Sequence, residues 1–282
     1  MSAARWRRAM NAGPSGAAAP PRPVGAMGLA AGARPAGVSD PALDGGAPRW
    51  AQAVRRSVGP RHVLVLALML LLPAVATPFM LYQVAAQSLI FGLIALSLTF
   101  LAGYGGMVSL AQMTVAGIAG YAVAVLGTSG TATSLGWPWW VVVPFALAIA
   151  VACSTLIGWL SVRTDGIYTI MITLAIGVAF YYLVLQNYTI FNGFQGFQKV
   201  YPPVVLGLNW RDPLPFYFLS LACAFAGYLF IQWLVRTPFG IALQGTRDNA
   251  RRMGALGFDV TAHRVAAYAV SGLLAGTGGV LL

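Results

Sequence analysis

The sequence predicts an all-α, polytopic transmembrane helical bundle, and three observations predict it. The chain has 282 residues, of which 59% are hydrophobic and 8% charged, with a mean hydropathy of +0.76. Those values lie far from a soluble domain. Seven stretches carry roughly 20 mostly apolar residues, the length that crosses a hydrocarbon core about 30 Å thick. None alternates polar and apolar positions, as the strands of a transmembrane β-barrel would. Helix follows, because in lipid only hydrogen bonds within the segment satisfy the backbone.

In chain order, residues 1–60 come first and are a different kind of polymer. "NAGPSGAAAPPRPVGAMGLAAGARPAGVSDPALDGGAPRW" is Ala, Gly, Pro and Arg with few large aliphatics. It cannot bury enough apolar surface to offset the entropy of ordering, so a disordered cytoplasmic tail is expected. The early "RWRR" is not a twin-arginine signal, since no apolar core follows it for some fifty residues. Translation starting at Met10 or Met27 is an alternative reading of this segment.

The membrane domain, residues 61–282, then holds spans at 63–81, 84–102, 107–126, 139–160, 166–190, 213–235 and 265–282. Arg55, Arg56 and Arg61 precede the first and place the N-terminus inside. Threading from there puts "GYGG" (103–106), "SVRTD" (161–165) and the loop 236–264 inside. "GTSGTATSLGW" and residues 191–212 fall outside. The loop 236–264 holds five arginines against Asp248 and Asp259, whereas the outside loops hold Lys199, Arg211 and Asp212, so positive charge gathers inside. The last span runs into Leu282, and further spans are expected if the chain is truncated.

Several function classes drop out. The net charge of +11 is not a nucleic-acid footprint, because nine arginines lie in the first 61 residues and the others flank apolar spans. No Asp, Glu, Lys, Arg or His falls inside the seven spans, where proton-coupled carriers and voltage sensors keep such groups. No carboxylate pair or Cys/His cluster is placed for catalysis or a metal, so no catalytic residue, metal site or enzyme activity is expected. Cys153 and Cys223 lie within spans and read as small hydrophobes. His62 and His263 stand at span edges. A nucleotide-binding P-loop needs Gly-Lys-Ser/Thr, and the sole lysine sits in "FQKV". If ATP drives this protein, another chain binds it.

What the spans do carry is small residues. "SGLLAGTGG" (271–279), with the GxxxG pair Gly272 and Gly276, reads as close helix packing. For "GYGGMVSLAQ" two readings stand side by side. One is packing; the other is a helix broken at Gly103–Gly106, exposing backbone groups to a polar solute. The loop 236–264 reads as a helical hairpin entered at Pro238 and Gly240. Thr246 is expected to cap a helix over 247–256, with Gly257 as its C′ residue. Met253, Leu256 and Phe258 give it an apolar side, the form of a docking element.

"FGIALQGTRDNARRMGALGFDVTAHRVAAYAVSGLLAGTGGVLL" resembles the cytoplasmic loop and following helix of permease subunits of branched-chain amino-acid ABC transporters. Three other stretches agree in order and spacing. "GYGGMVSLAQMTVAGIAGY" resembles that family's Gly-Tyr-x-Gly…Ser-Leu-Gly…Gly-Ala-Tyr segment, with Gln112 where histidine is common. "TDGIYTIMITLA" resembles its Thr-Arg-Gly-Leu-Tyr-x-x-x-x-Thr-Leu-Ala, with Asp165 replacing the basic residue. "FNGFQGF" resembles its Thr-Gly-Gly-x-x-Gly-Leu.

The resemblance covers about residues 83–282 and implies an importer permease in a bacterial inner membrane. It implies ABC ATPase subunits carrying ATP and Mg, a second homologous permease and an extracytoplasmic substrate-binding protein. No cofactor is expected on this chain. The loop would seat in the ATPase, with Arg247, Asp248, Asn249 and Gly257 matching the family pattern. Arg251 and Arg252 depart from it, standing where an acidic residue and alanines are usual. A zwitterionic solute at mid-membrane needs neutral donors and acceptors, so Gly103, Gly105, Gly106, Ser109, Gln112, Tyr168 and Thr173 are the candidate substrate path. The same resemblance extends to urea, short amides and other small solutes. An ion-coupled carrier leaves the charged loop unexplained, and a membrane enzyme would want polar groups gathered at one depth.

Overall fold

Among the described residues, five helices are long and apolar enough to cross a membrane. The computed structural model describes residues 67–73, 76–127, 136–164, 166–191, 193, 197, 204–205, 208–209 and 212–282. The spans are α1 (Met80–Gly105), α3 (Trp139–Ser161), α4 (Ile167–Gln186), α6 (Pro213–Leu234) and α9 (Val260–Leu281). Between them lie the shorter apolar α2 (Gln112–Leu126), the four-residue α5 (Tyr188–Phe191), and α7 (Pro238–Asp248) and α8 (Ala250–Ala255). One antiparallel pair of two-residue strands, β1 (Val204–Val205) and β2 (Leu208–Asn209), precedes α6. The predicted all-α helical bundle is what forms.

The edges of the spans differ from those expected, and of the seven expected spans five are helices of spanning length among the described residues. The tail 1–60, residues 63–66 and 74–75 of the first predicted span, Asp165 and most of the loops at 128–135 and 192–203 lie outside the described residues. Of predicted span 63–81, residues 67–73 are helical. The expected break before residue 84 is instead the start of α1, whose first turns, Met80–Ala86, are π-helical. Tyr82 and Gln83 look polar enough to end a span, yet the Tyr82 ring packs on Phe216 at 5.0 Å and Gln83 accepts a hydrogen bond from Gln87 one turn on.

Predicted span 107–126 begins only at Gln112, because Gly106 ends α1 in the left-handed conformation (φ 66°). The 15 residues of α2 rise about 22 Å, short of the hydrocarbon core. The non-helical segment 107–111 precedes it and is pinned to α4 where the Leu110 N–H donates to Thr173 Oγ1 at 3.2 Å. A backbone group at that depth needs such a protein partner.

α9 is the axis of the bundle, packed against α3, α2 and α1. Small residues make that approach close. A methyl added at Gly272 would meet Ser154 and one at Gly276 would meet Ala150, both on α3; one at Gly278 would meet Ile94 on α1. At Gly279 it would overlap the Ala116 carbonyl of α2. The packing reading of "SGLLAGTGG" is the one the structure bears out. α4 lies at the margin, with much of its apolar surface exposed.

Candidate functional site: a charged hairpin and a broken helix end

The charged stretch 236–264 is a hairpin stiffened by three side-chain caps. Thr237 opens α7: its Oγ1 donates to the Leu234 carbonyl at 2.6 Å and accepts the Gly240 N–H at 3.4 Å, with Pro238 as the first helical residue. Asn249 separates α7 from α8 and caps the latter, accepting the Arg252 N–H at 3.0 Å. Asp259 caps α9 by accepting the Ala262 N–H at 3.0 Å. The expected cap at Thr246 is therefore corrected. Thr246 is buried inside α7, and its hydroxyl donates to the Leu243 carbonyl at 2.7 Å.

Gly257 is the C′ residue, as expected. Its φ is +88°, its N–H bonds to the Gly254 carbonyl and the Phe258 N–H to that of Met253, the paired bonds of a Schellman motif. α8 folds back on α7 over a glycine, since a methyl at Gly245 would stand 2.8 Å from Met253 Sδ. The His263 ring stacks on Phe239 and meets the edge of Phe258, both at 5.8 Å, so α7, the turn and α9 share one small cluster. The outer surface is charged and apolar together. Arg251 and Arg252 are exposed, as are Leu256 (67%) and Phe258 (42%).

Arg247 turns back to the membrane domain. Its Nη1 donates to the carbonyl of Gly103, while its Nε and Nη2 lie 3.0 and 2.9 Å from Oδ1 of Asp248. Its stem lies across Gly106, where an added methyl would stand 2.5 Å from Arg247 Cγ. Gly106, Met107 and Val108 in turn line a cavity of about 230 Å³, with Ser161, Val162, Thr164, Gly166, Thr169, Ile170 and Arg264 around it. Described residues of the three turns that threading put on one side, from 103–106, 161–164 and 236–264, thus meet at one end of the bundle.

Of the candidate path residues, the structure gathers most and leaves one apart. Gln112 is 3% exposed and accepts from Ser97 Oγ at 3.3 Å. Thr173 is buried on the Leu110 N–H. Ser109 is 1% exposed; its Oγ stands by the Tyr268 hydroxyl without the geometry of a hydrogen bond. Gly103, Gly105 and Gly106 form the end of α1. Tyr168, by contrast, is 66% exposed on α4 and does not join them. Sequence reading missed the rest of the buried polar seam. Ser154 Oγ donates to the Tyr268 carbonyl at 2.7 Å, Ser271 Oγ to the Ser97 carbonyl at 3.1 Å, and Ser161 Oγ meets the Tyr268 hydroxyl at 3.3 Å. Ser154 and Ser161 are one heptad apart on α3, the one available signal that they share a face.

Residues 80–282 match the family described as branched-chain amino acid transport system / permease component. The chain belongs to this permease family. It is similar to the high-affinity branched-chain amino acid transport system permease protein LivM of Salmonella typhimurium, 25% identical over 83% of this chain and 63% of that protein. LivM of Escherichia coli is 26% identical over 75% of this chain and 55% of that protein. The chain thus spans less than two thirds of the length of these curated relatives. No solved structure matches it. Family membership and five apolar helices of spanning length make this permease a multi-pass membrane protein. Among its described residues no group of three or more His, Cys, Asp or Glu could hold a metal.

Proposed function

We propose that this permease is the transmembrane subunit of an ABC importer for branched-chain amino acids, lying in a bacterial inner membrane with its N-terminus in the cytoplasm. The observation that carries the reading is a capped, exposed hairpin joined through the Gly257 turn to the axial helix of a bundle whose family is branched-chain amino-acid transport. ATP and Mg would reside on separate ATPase subunits. A second permease subunit and an extracytoplasmic binding protein would complete the importer.

In this reading the ATPase grips the exposed surface of α8, with Arg251, Arg252, Leu256 and Phe258. Asp248, Asn249 and Gly257 hold that surface in shape. The helix caps make the hairpin stiff, so displacement at α8 passes into α9 and, through Arg247, into the end of α1. The solute would pass near Gly103–Gly106, Ser109, Gln112 and Thr173. There, neutral hydroxyl, amide and backbone groups can meet a zwitterion without a fixed buried charge. Among the described residues that line the cavity, the one charged group, Arg264, stands near the end of the bundle that carries the hairpin.

The test is purification of the tagged permease from its native membrane, followed by uptake in proteoliposomes. A soluble ATPase should co-purify, and ATP should drive uptake of labelled leucine, isoleucine or valine delivered with the binding protein. Uptake of urea or short amides instead would move the substrate assignment within the family. Uptake driven by an ion gradient with no ATPase present would replace the importer reading with a secondary carrier.

A further inference from the structure

We infer that Arg247 is a positioning residue that latches the hairpin to the broken end of α1, and that the latch opens and closes in each transport cycle. The cycle rests on the importer reading; the contact itself does not. The last carbonyls of a helix lack partners within it and carry the negative end of its dipole, so a guanidinium is the natural group to meet them. Gly103 lies in the final turn of α1, and its carbonyl takes Nη1 of Arg247. Asp248 holds the other edge of the guanidinium from Nε and Nη2, fixing which nitrogen faces the helix.

Gly106 has two reasons to be glycine. Its φ is +66°, and the stem of Arg247 occupies the space a side chain would need. Because Gly106 begins the wall 106–108 of the cavity, lifting the hairpin draws on that wall directly. Arg264, four residues into α9, lines the same cavity. The hairpin therefore meets the cavity wall at two places, through Arg247 on Gly106 at its middle and through Arg264 at its far end. Arg251 and Arg252, both exposed on α8, are the cations of the hairpin tip that would face a partner.

The Cβ of a residue placed at Gly106 would lie 3.3 Å from the Cβ of Arg247, close to the roughly 3.5–4.5 Å of a disulfide. Gly106→Cys with Arg247→Cys, in a Cys153→Ala and Cys223→Ala background, should cross-link on mild oxidation of the intact complex in proteoliposomes. Oxidised complex should lose uptake, and dithiothreitol should bring it back to the lowered level expected of a permease without the Arg247 guanidinium. Separately, Arg247→Met should lower uptake by about tenfold, the loss of one charged hydrogen bond, with Arg247→Lys in between. The ATPase should still co-purify with both, whereas Arg251→Glu with Arg252→Glu should lose it.

Three results would overturn the latch: no cross-link, a cross-linked complex that transports as well as the reduced one, or loss of the ATPase from Arg247→Met. The last would return Arg247 to the docking surface. Absence of any ATPase from the wild-type preparation would instead sink the importer reading, and the cross-link yield would still decide whether the contact exists.

Discussion

At Gly158 an added methyl would stand 2.5 Å from the Cβ of Tyr268 and 2.6 Å from its ring. Neither α3 nor α9 can retreat, because Gly272 and Gly276 hold the same pair of helices together further along. Gly158→Ala should therefore cost about 1–3 kcal/mol as an overpacked core, read as a lower melting temperature in detergent. Gly92→Ala is the control: it is also helical, it is exposed, and nothing lies within 4 Å of the new methyl. An equal or higher melting temperature is expected there, and equal losses at both sites would refute the packing account. The pair Gly272 and Gly276 was legible in sequence because its spacing puts both on one face. Gly158 was not, because what makes it necessary is a tyrosine on another helix. Ser97, Ser154 and Ser271 escaped for a related reason: spans apolar on all sides do not reveal which face is buried.

At the level of elements, the hairpin was legible in kind and wrong in detail. Thr246 precedes a charged run and has the composition of a cap, but Thr237-Pro238 is the stronger start signal, since proline favours the first helical position. A helix begun there runs through Thr246 and stops at Asp248. Asn249 then starts a second helix that the single-helix reading absorbed. Two changes test these elements. Gly257→Ala meets no neighbour within 4 Å, so its whole cost is the left-handed backbone, about 1–2 kcal/mol. Gly257→Asn should cost less, because asparagine tolerates that conformation. Asn249→Ala should remove about 1 kcal/mol of helix capping. Both losses should appear as faster tryptic cleavage at Arg251 or Arg252 with the membrane spans unaffected. Cleavage at the wild-type rate would mean the caps do not hold the hairpin.

For the molecule as a whole, hydropathy located the spans because lipid imposes one length on every crossing. It could not place the end of α1, where a left-handed glycine, rather than polarity, stops the helix. The arginine pattern predicts sidedness. In a background lacking Cys153 and Cys223, a cysteine at Asn209 should react with an impermeant thiol reagent from outside intact cells, and one at Ala250 should not. The reverse pattern would invert the bundle. The emptiness of the spans has an electrical consequence. α1, α3, α4 and α6 contain no Asp, Glu, Lys, Arg or His, and α9 holds His263 and Arg264 only near its beginning. A membrane potential does work only on charge that moves through it, about 2.3 kcal/mol per elementary charge for each 100 mV. These helices offer it nothing to grip. Potassium diffusion potentials of either sign should leave the ATP hydrolysis rate of reconstituted vesicles unchanged. On the importer reading proposed above, a cell whose ion gradients have run down keeps its uptake for as long as it holds ATP.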